Sequence, residues 1–520
     1  MTTTGSNVPA APADAARRGT GRTPTPPPLL DRLWRRRSAA VALVAAAGVV
    51  SGAVWALAVP RGPMNSWSGL VLMATGLLLA SVAGLVLRHR RAVLLVLAAH
   101  VAAFEVVRWP VDGPVVDGIA LDSTYGVIGF VTGRMFDGVL LALPALVGVL
   151  YGAGAARRWA GQAHRPGPVL VIRRVLAGVL AVAVLGFAVL VAQPASTDPI
   201  TWPDGAPVAG SVAELATLRL GGHDQAVMLR GRSDRAPVLL YLAGGPGGTD
   251  LGAMRLFGER LESDFVVATW DQRGAGTSYG SLDPASTLTP DRVVADTIEL
   301  AQRLRDRFDQ DRVYLVGNSY GTLVGVLAAQ QRPDLFAAYV GTGQMVDVAE
   351  TDRMFYADTL AWARRTGDDG LVETLARNGP PPYGDVFPYE QALSHGHAWR
   401  DDPAFDPSSE PPDNLFVEEY DLVQKVRGLP SFIDTFSVLY PQLQDIDLRV
   451  QAAQLQVPVY VVTGEFEARG RIGLAREWFS VLDAPDKQWI ERPRSGHRPQ
   501  FEQPDMFAAT MRTVLSETGR

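Results

Sequence analysis

The chain has 520 residues, a net charge of −6 and no cysteine. That last fact excludes disulfides, thiolate metal sites and a cysteine nucleophile, and it leaves the redox compartment open. The basic residues are almost all arginine, with Lys425 and Lys487 the exceptions, and no basic stripe interleaved with aromatics marks a nucleic-acid surface in the second half.

Residues 1–34, with "TPTPPP" among scattered Ala, Gly and Thr, read as a disordered cytoplasmic tail. Residues 35–193 are rich in Ala, Val, Leu and Gly and read as an all-α transmembrane domain of about five spans. The apolar segments lie near 38–59, 67–87, 92–107, 136–153 and 175–192, and a span needs about 20 residues to cross roughly 30 Å of hydrocarbon. The third is short and carries His100 and Glu105, which read as interfacial or packed between helices. Arg35, Arg36 and Arg37, then Arg88, Arg90 and Arg91, then Arg157, Arg158, Arg173 and Arg174 fall in alternate loops, while the opposite loops hold Arg61, Arg108 and Arg134. The positive-inside rule then places the N-terminus in the cytoplasm, and five crossings leave the second half outside it. Cleavage of the first span after "ALA" at residues 56–58 would not change that side.

A Pro-rich linker covers residues 194–210. Strand-like runs follow at "VAELATLRL", "QAVMLRG", "PVLLYLA", "FVVATW" and "RVYLVG", with helix-like runs between the later ones. Thr289 and Pro290 supply an N-cap and a first helical residue. This alternation with fully apolar strands predicts an α/β architecture, a mostly parallel sheet with helices on both faces.

Two copies of G-x-S-x-G occur, "GNSYG" at 317–321 and "GTSYG" at 276–280. Ser319 lies between the strand "VYLV" and the helix "TLVGVLAAQ", the strand-turn-helix setting that lifts a nucleophile's Oγ above the sheet. Gly317 and Gly321 suit the sharp turn and the close helix packing. Ser278 instead runs into "SLDPASTLTP" and reads as a loop residue bonded locally. A nucleophilic serine needs a base, and the base an orienting acid. Of the seven histidines, His89, His100 and His164 are in the membrane half, His223 is in the first hairpin, and His395 and His397 are in a long insertion. His497, in "RPRSGHRPQFEQP" after the strand-like "KQWIERP", is the candidate base, with a buried structural histidine as the alternative. The acid is expected after "VPVYVVTG", where Glu465 and Glu467 both follow. Glu467, three residues past Gly464, is the better placed.

With "LAGGPGG", "WDQRGAGTS", "GNSYG" and "GEFE…SGH" in this order, the chain resembles the α/β-hydrolase superfamily and, within it, the prolyl-aminopeptidase-related serine hydrolases. The resemblance covers about residues 211–520 and none of the membrane half. It implies a hydrolase core over 211–343 and 451–520, a helical lid over 344–450, and a Ser319-His497-Glu467 triad. It further implies an oxyanion hole formed by the backbone N–H groups of Gly245 and Tyr320, with Asp271 and Arg273 fixing the loop beneath the site. Ala243 stands where the family usually has His, and Glu467 where it usually has Asp. In the aminopeptidases of the group, acidic lid residues hold the substrate's free α-amino group, and Glu350 is a candidate for that role here. The expectation is a membrane-anchored serine hydrolase acting through an acyl-enzyme, without metal or organic cofactor, on short peptides or another small-molecule substrate. An esterase or amidase is the near alternative, and a non-catalytic membrane receptor or assembly protein using the fold as a binding module is the distant one.

Overall fold

A computed structural model of the chain describes residues 26–161, 167–400 and 407–519. Its first half is a helical bundle, apolar from the second helix on: α1 (Pro28–Arg35), α2 (Arg37–Ala58), α3 (Ser66–Leu87), α4 (Ala92–Val107), α5 (Thr124–Phe130), α6 (Phe136–Trp159) and α7 (Pro168–Val191). Helices α5 and α6 are continuous through a π-helical turn at Val131–Met135. Four helices are long and apolar enough to cross a membrane, namely α2, α3, α5–α6 and α7, while α4 has 16 residues and is shorter. The expected five segments therefore resolve into four long helices and one short one. Within α4, His100 is buried with Nδ1 3.2 Å from Ser51 Oγ, and Glu105 pairs with Arg108. Of the tail expected over residues 1–34, residues 1–25 lie outside the described ones. Pro28–Arg35 form α1, started by Pro28 and supported by an Asp31–Arg35 pair one turn apart.

The bundle has two distinct ends. At one, Trp34 Nε1 donates to Leu85 O (3.1 Å) and Arg88 lies over the Trp34 ring, which gathers the arginine-rich segments. At the other, Arg108 Nη1 donates to Pro60 O (3.4 Å) and Ser66 Oγ to Gln193 O (3.1 Å), and there the second half docks.

The second half contains β1 (Val212–Leu220), β2 (His223–Gly231), β3 (Val238–Leu242), α8 (Leu251–Phe257), β4 (Val266–Trp270), α9 (Pro290–Arg307), β5 (Val313–Asn318), α10 (Tyr320–Gln331) and β6 (Phe336–Thr342). A helical insertion, here called the cap, follows with α11 (Val348–Thr366), α12 (Asp369–Asn378), α13 (Glu390–Trp399), α14 (Leu422–Leu439) and α15 (Leu448–Gln451). The chain ends with β7 (Val459–Gly464), α16 (Arg469–Val481), β8 (Lys487–Arg492), α17 (Pro499–Glu502) and α18 (Pro504–Thr518). The eight strands form one sheet in the order β1-β2-β4-β3-β5-β6-β7-β8. Strands β1, β2 and β4 pair antiparallel, and the remaining pairings are parallel.

Strand periodicity divides the core between the two faces. Val238, Leu240 and Leu242 of β3 pack with α9, α10 and α16, while Leu239 and Tyr241 pack with α8 and α18. Such two-sided burial is why the strands read as continuous apolar runs. Helix α14 begins with a reciprocal cap between Asp421 and Gln424 and reaches both halves. Asp434 bonds Arg61 and the N–H of Val115, and Arg427 bonds Asp137 and Pro63 O, all from the helical bundle.

Candidate active site

Strand β5 ends at Asn318 and α10 begins at Tyr320, so the reversal falls on Ser319, with φ 53° and ψ −120°. A side-chain-bearing residue at positive φ is strained and persists only where its surroundings hold it. Here Ser319 N–H donates to Thr342 O (2.9 Å) and Thr322 Oγ1 donates to Ser319 O (2.5 Å). The helix presses close to the sheet: a β-carbon at Gly321 would stand 2.3 Å from Leu242 O. Only glycine fits there, and the packing aims Ser319 Oγ upward beside Met345 Sδ at 3.9 Å.

The loop after β3 runs past this serine, since a β-carbon at Gly244 would lie 3.2 Å from Ser319 Cβ. The N–H groups of Gly245 and Tyr320 have no hydrogen-bond partner among the described residues. For Tyr320 this follows from its place as the first residue of α10, where a helix leaves its N–H groups unpaired. The loop is fixed from below. Gln272 Nε2 donates to Ala243 O (3.1 Å), and buried Asp271 accepts from Thr249 Oγ1 (2.6 Å) and Thr277 N (2.8 Å). Arg273 donates to Ser281 O (2.8 Å) and Thr287 Oγ1 (2.6 Å), which ties down the next loop. Ser278 lies in a 3₁₀ turn, Gly276–Ser281, with its Oγ donating to Asp271 O (2.6 Å), and is spent on structure.

Beyond the tips of β7 and β8, Glu467 and His497 meet. Glu467 Oε2 lies 2.7 Å from His497 Nδ1 and Oε1 accepts from Ala468 N (2.6 Å), whereas exposed Glu465 accepts from Arg494 N (3.0 Å). Glu502 holds the histidine loop by accepting from Ser495 Oγ and Gly496 N, both at 2.5 Å, and from Arg498 N at 3.1 Å. The ring lies against Gly343, which has φ 57° and where a β-carbon would stand 2.4 Å from His497 Cε1. The Nδ1–H bonded to Glu467 leaves Nε2 as the basic nitrogen. Arg471 Nη1 lies against the ring, 2.5 Å from Nε2 and 2.9 Å from Nδ1. No hydrogen bond joins His497 to Ser319 among the described residues.

The charges follow from burial and neighbours. Burial alone would raise the Glu467 carboxyl, but the charge and hydrogen bond of His497, with Arg471 and Arg400 behind them, hold it at about 2. His497 is pushed down to about 4, first by burial and then by the Arg471 charge, against the pull of Glu467. At neutral pH the pair is a carboxylate and a neutral imidazole.

A cavity of about 40 Å³ lies between the sheet and the cap, reaching from Gly245 to Arg471. Phe355, Tyr383, Tyr389, Phe436 and Tyr440 line it, together with one acid, Asp352. Asp352 accepts from Tyr440 OH (2.6 Å) and Gln444 Nε2 (3.2 Å), and burial raises its carboxyl to about 6. Glu350, two residues earlier on α11, is instead paired with Arg449 at 2.9 Å. Sequence reading missed Asp352, Arg471 and Gly343. Helical spacing from Val348 would have set Asp352, four residues on, on one face with it, which is the available hint. Among the other histidines, His395 Nδ1 bonds Gln391 O and His223 Nδ1 bonds Gly221 O, while His164 and the His397 side chain are outside the described residues. A larger cavity of about 360 Å³ lies where residues 112–120 meet the cap, and none of the candidate catalytic residues lines it.

A family model described as alpha/beta hydrolase fold matches residues 237–504. A probable aminopeptidase of Bacillus subtilis, YbaC, is 28% identical over 314 residues, 58% of this chain and 96% of that protein. A probable proline iminopeptidase of Leptolyngbya boryana is 26% identical over 161 residues, 31% of this chain and 46% of that protein. Among solved structures, the proline iminopeptidase of Mycobacterium smegmatis matches at 20% identity with a TM-score of 0.44, over 59% of this chain and 98% of that one.

Proposed function

Since the chain belongs to the alpha/beta hydrolase fold family, we propose that it is a membrane-held serine hydrolase that removes the N-terminal residue from short peptides. The observation that carries this reading is Ser319, strained at the β5–α10 turn beside two N–H groups that have no partner among the described residues. Ser319 Oγ attacks the scissile carbonyl while His497 Nε2 takes its proton, and Glu467 orients the imidazole and stabilises the cation that forms. The N–H groups of Gly245 and Tyr320 receive the oxyanion, a contribution of about 2.7–4 kcal/mol per donor in related chemistry. Collapse breaks the C–N bond, His497 passes its proton to the leaving amine, and an acyl ester remains on Ser319. Water, deprotonated by the same imidazole, releases the acid and restores the serine.

The peptide assignment rests on the names of the similar proteins and on Asp352, a carboxylate in an aromatic cavity beside Gly245, suited to a substrate ammonium group. The arginine-rich end of the bundle lies opposite the hydrolase half, which supports a cytoplasmic N-terminus and a catalytic domain outside the cytoplasm.

The test uses the full chain in detergent with aminoacyl amides paired against acyl esters of similar size, each run with wild type and Ser319→Ala. Turnover of the free-amine amides that falls by about 10⁶-fold in the variant is the expected result. Turnover of esters alone would keep the triad and remove the peptidase assignment. If no substrate shows Ser319-dependent turnover, the fold serves here as a binding module.

A further inference from the structure

Arg471 crowds the imidazole that is the candidate base. Nε2 of His497 must receive the Ser319 proton, and Arg471 Nη1 lies 2.5 Å from it and 2.9 Å from Nδ1, a contact with both nitrogens that sets the guanidinium against the ring and off the in-plane axis of the Nε2 lone pair. The guanidinium has no acidic partner within ion-pair distance among the described residues, and its Nε is buried without a hydrogen bond. The carboxylates around it are engaged elsewhere, Glu467 by His497 and Asp352 by Tyr440 and Gln444. It stacks over the Phe355 ring at 5.1 Å and lines the same cavity as Asp352. A cation withdrawn from water with no carboxylate in hydrogen-bond contact is costly, and a guanidinium fork is shaped to take a carboxylate through two hydrogen bonds.

We propose that Arg471 is a specificity residue for the C-terminal carboxylate of a dipeptide, and that binding this carboxylate draws Arg471 away from the His497 ring. The inference rests on the peptide-hydrolase reading above. His497 Nε2 must stand beside the leaving nitrogen to protonate it. In a dipeptide the carboxylate carbon is two bonds from that nitrogen, which sets it against the guanidinium, whereas a longer chain carries its carboxylate away. Asp352 for the ammonium group and Arg471 for the carboxylate then give the cavity a charge at each end. With about 40 Å³ of free space, the cavity admits a dipeptide only if a side chain yields, and Arg471, which lines it, is the side chain the carboxylate would move.

The test compares alanyl-alanine with its C-terminal amide on the full chain in detergent. Binding is measured by calorimetry on Ser319→Ala, alone and combined with Arg471→Gln, and hydrolysis on wild type and Arg471→Gln. The Ser319→Ala chain should bind the acid about 10- to 100-fold more tightly than the amide, the scale of a charged hydrogen-bond partner, and Arg471→Gln should bring the ratio close to one. Equal binding of acid and amide, a preference that survives Arg471→Gln, or no measurable binding of either ligand overturns the proposal. An Arg471-dependent preference for the acid without Ser319-dependent hydrolysis would uphold the recognition and remove the hydrolase reading. If Arg471→Gln does not fold, judged by thermal unfolding, Arg471→Lys takes its place: losing the fork should lower the preference, and an unchanged preference overturns the proposal.

Discussion

Two carboxyls and one imidazole near Ser319 titrate in different ranges, and for the proposed reaction this predicts a substrate-dependent pH profile. Asp352 must be ionised to hold an ammonium group, and burial raises its carboxyl to about 6. Activity on free-amine substrates should therefore fall as the pH drops through about 6. His497 must be neutral to act as a base and is held at about 4, so an ester without an amine should keep its activity down to about pH 4. The dependence of kcat/KM on pH reports the free enzyme. Profiles for an aminoacyl amide and a matched acyl ester should differ in their acid limbs, and Asp352→Asn should abolish the difference. Coincident limbs would remove Asp352 from amine binding. At this scale the sequence was legible where a motif imposes geometry, as at Ser319 between a strand and a helix. It was silent on Arg471 and Asp352, single charges on helices with no motif around them, whose meaning comes from what the fold sets opposite them.

Among the elements, α14 links the apolar helices to the candidate active site. One of its faces carries Asp434 and Arg427, which meet Arg61 and Asp137 of the helical bundle. The next residue, Thr435, donates to Gly274 O (2.7 Å) and packs against Gly247 in the loop that also carries Gly245. Arg61 and Asp434 are almost wholly buried. Removing one member of such a pair leaves the other charge unpaired and costs about 3–5 kcal/mol. Arg61→Ala should lower the thermal unfolding midpoint of the full chain in detergent and slow Ser319-dependent turnover, because α14 loses the contact that sets its height over the oxyanion loop. Arg35→Ala, which breaks an exposed pair on α1, should change neither. A falling midpoint with unaltered turnover would separate α14 from the site. Sequence periodicity finds α14 as a helix, but it does not show that the helix joins the two halves, since its partners lie over 280 residues away.

For the whole molecule, the alternation of helix direction is the main structural statement. Helices α2 and α4 both end at the hydrolase, as does α7, while α3 and α6 both begin there. Although α4 is short, it runs the same course as the longer helices, and the arginine-rich segments collect at the far end. With that end facing the cytoplasm, a reporter that folds only outside the cytoplasm should be active when fused after Arg520, and one that works only inside should be silent. The reverse pattern would turn the molecule over and give the hydrolase a cytoplasmic substrate.

The sequence by itself determined the α/β-hydrolase half, its strands and the serine turn, and the apolar helices before it, because each depends on local pattern: periodicity, turn residues and runs of apolar side chains. Only the tertiary structure decided that Glu467 and not Glu465 meets His497, that Arg471 covers Nε2, that Asp352 and not Glu350 faces the cavity, and that the cap rests on the helical bundle. These depend on which distant charges are withdrawn from water together, and burial, which sets the strength of every such pairing, is a property of the folded chain.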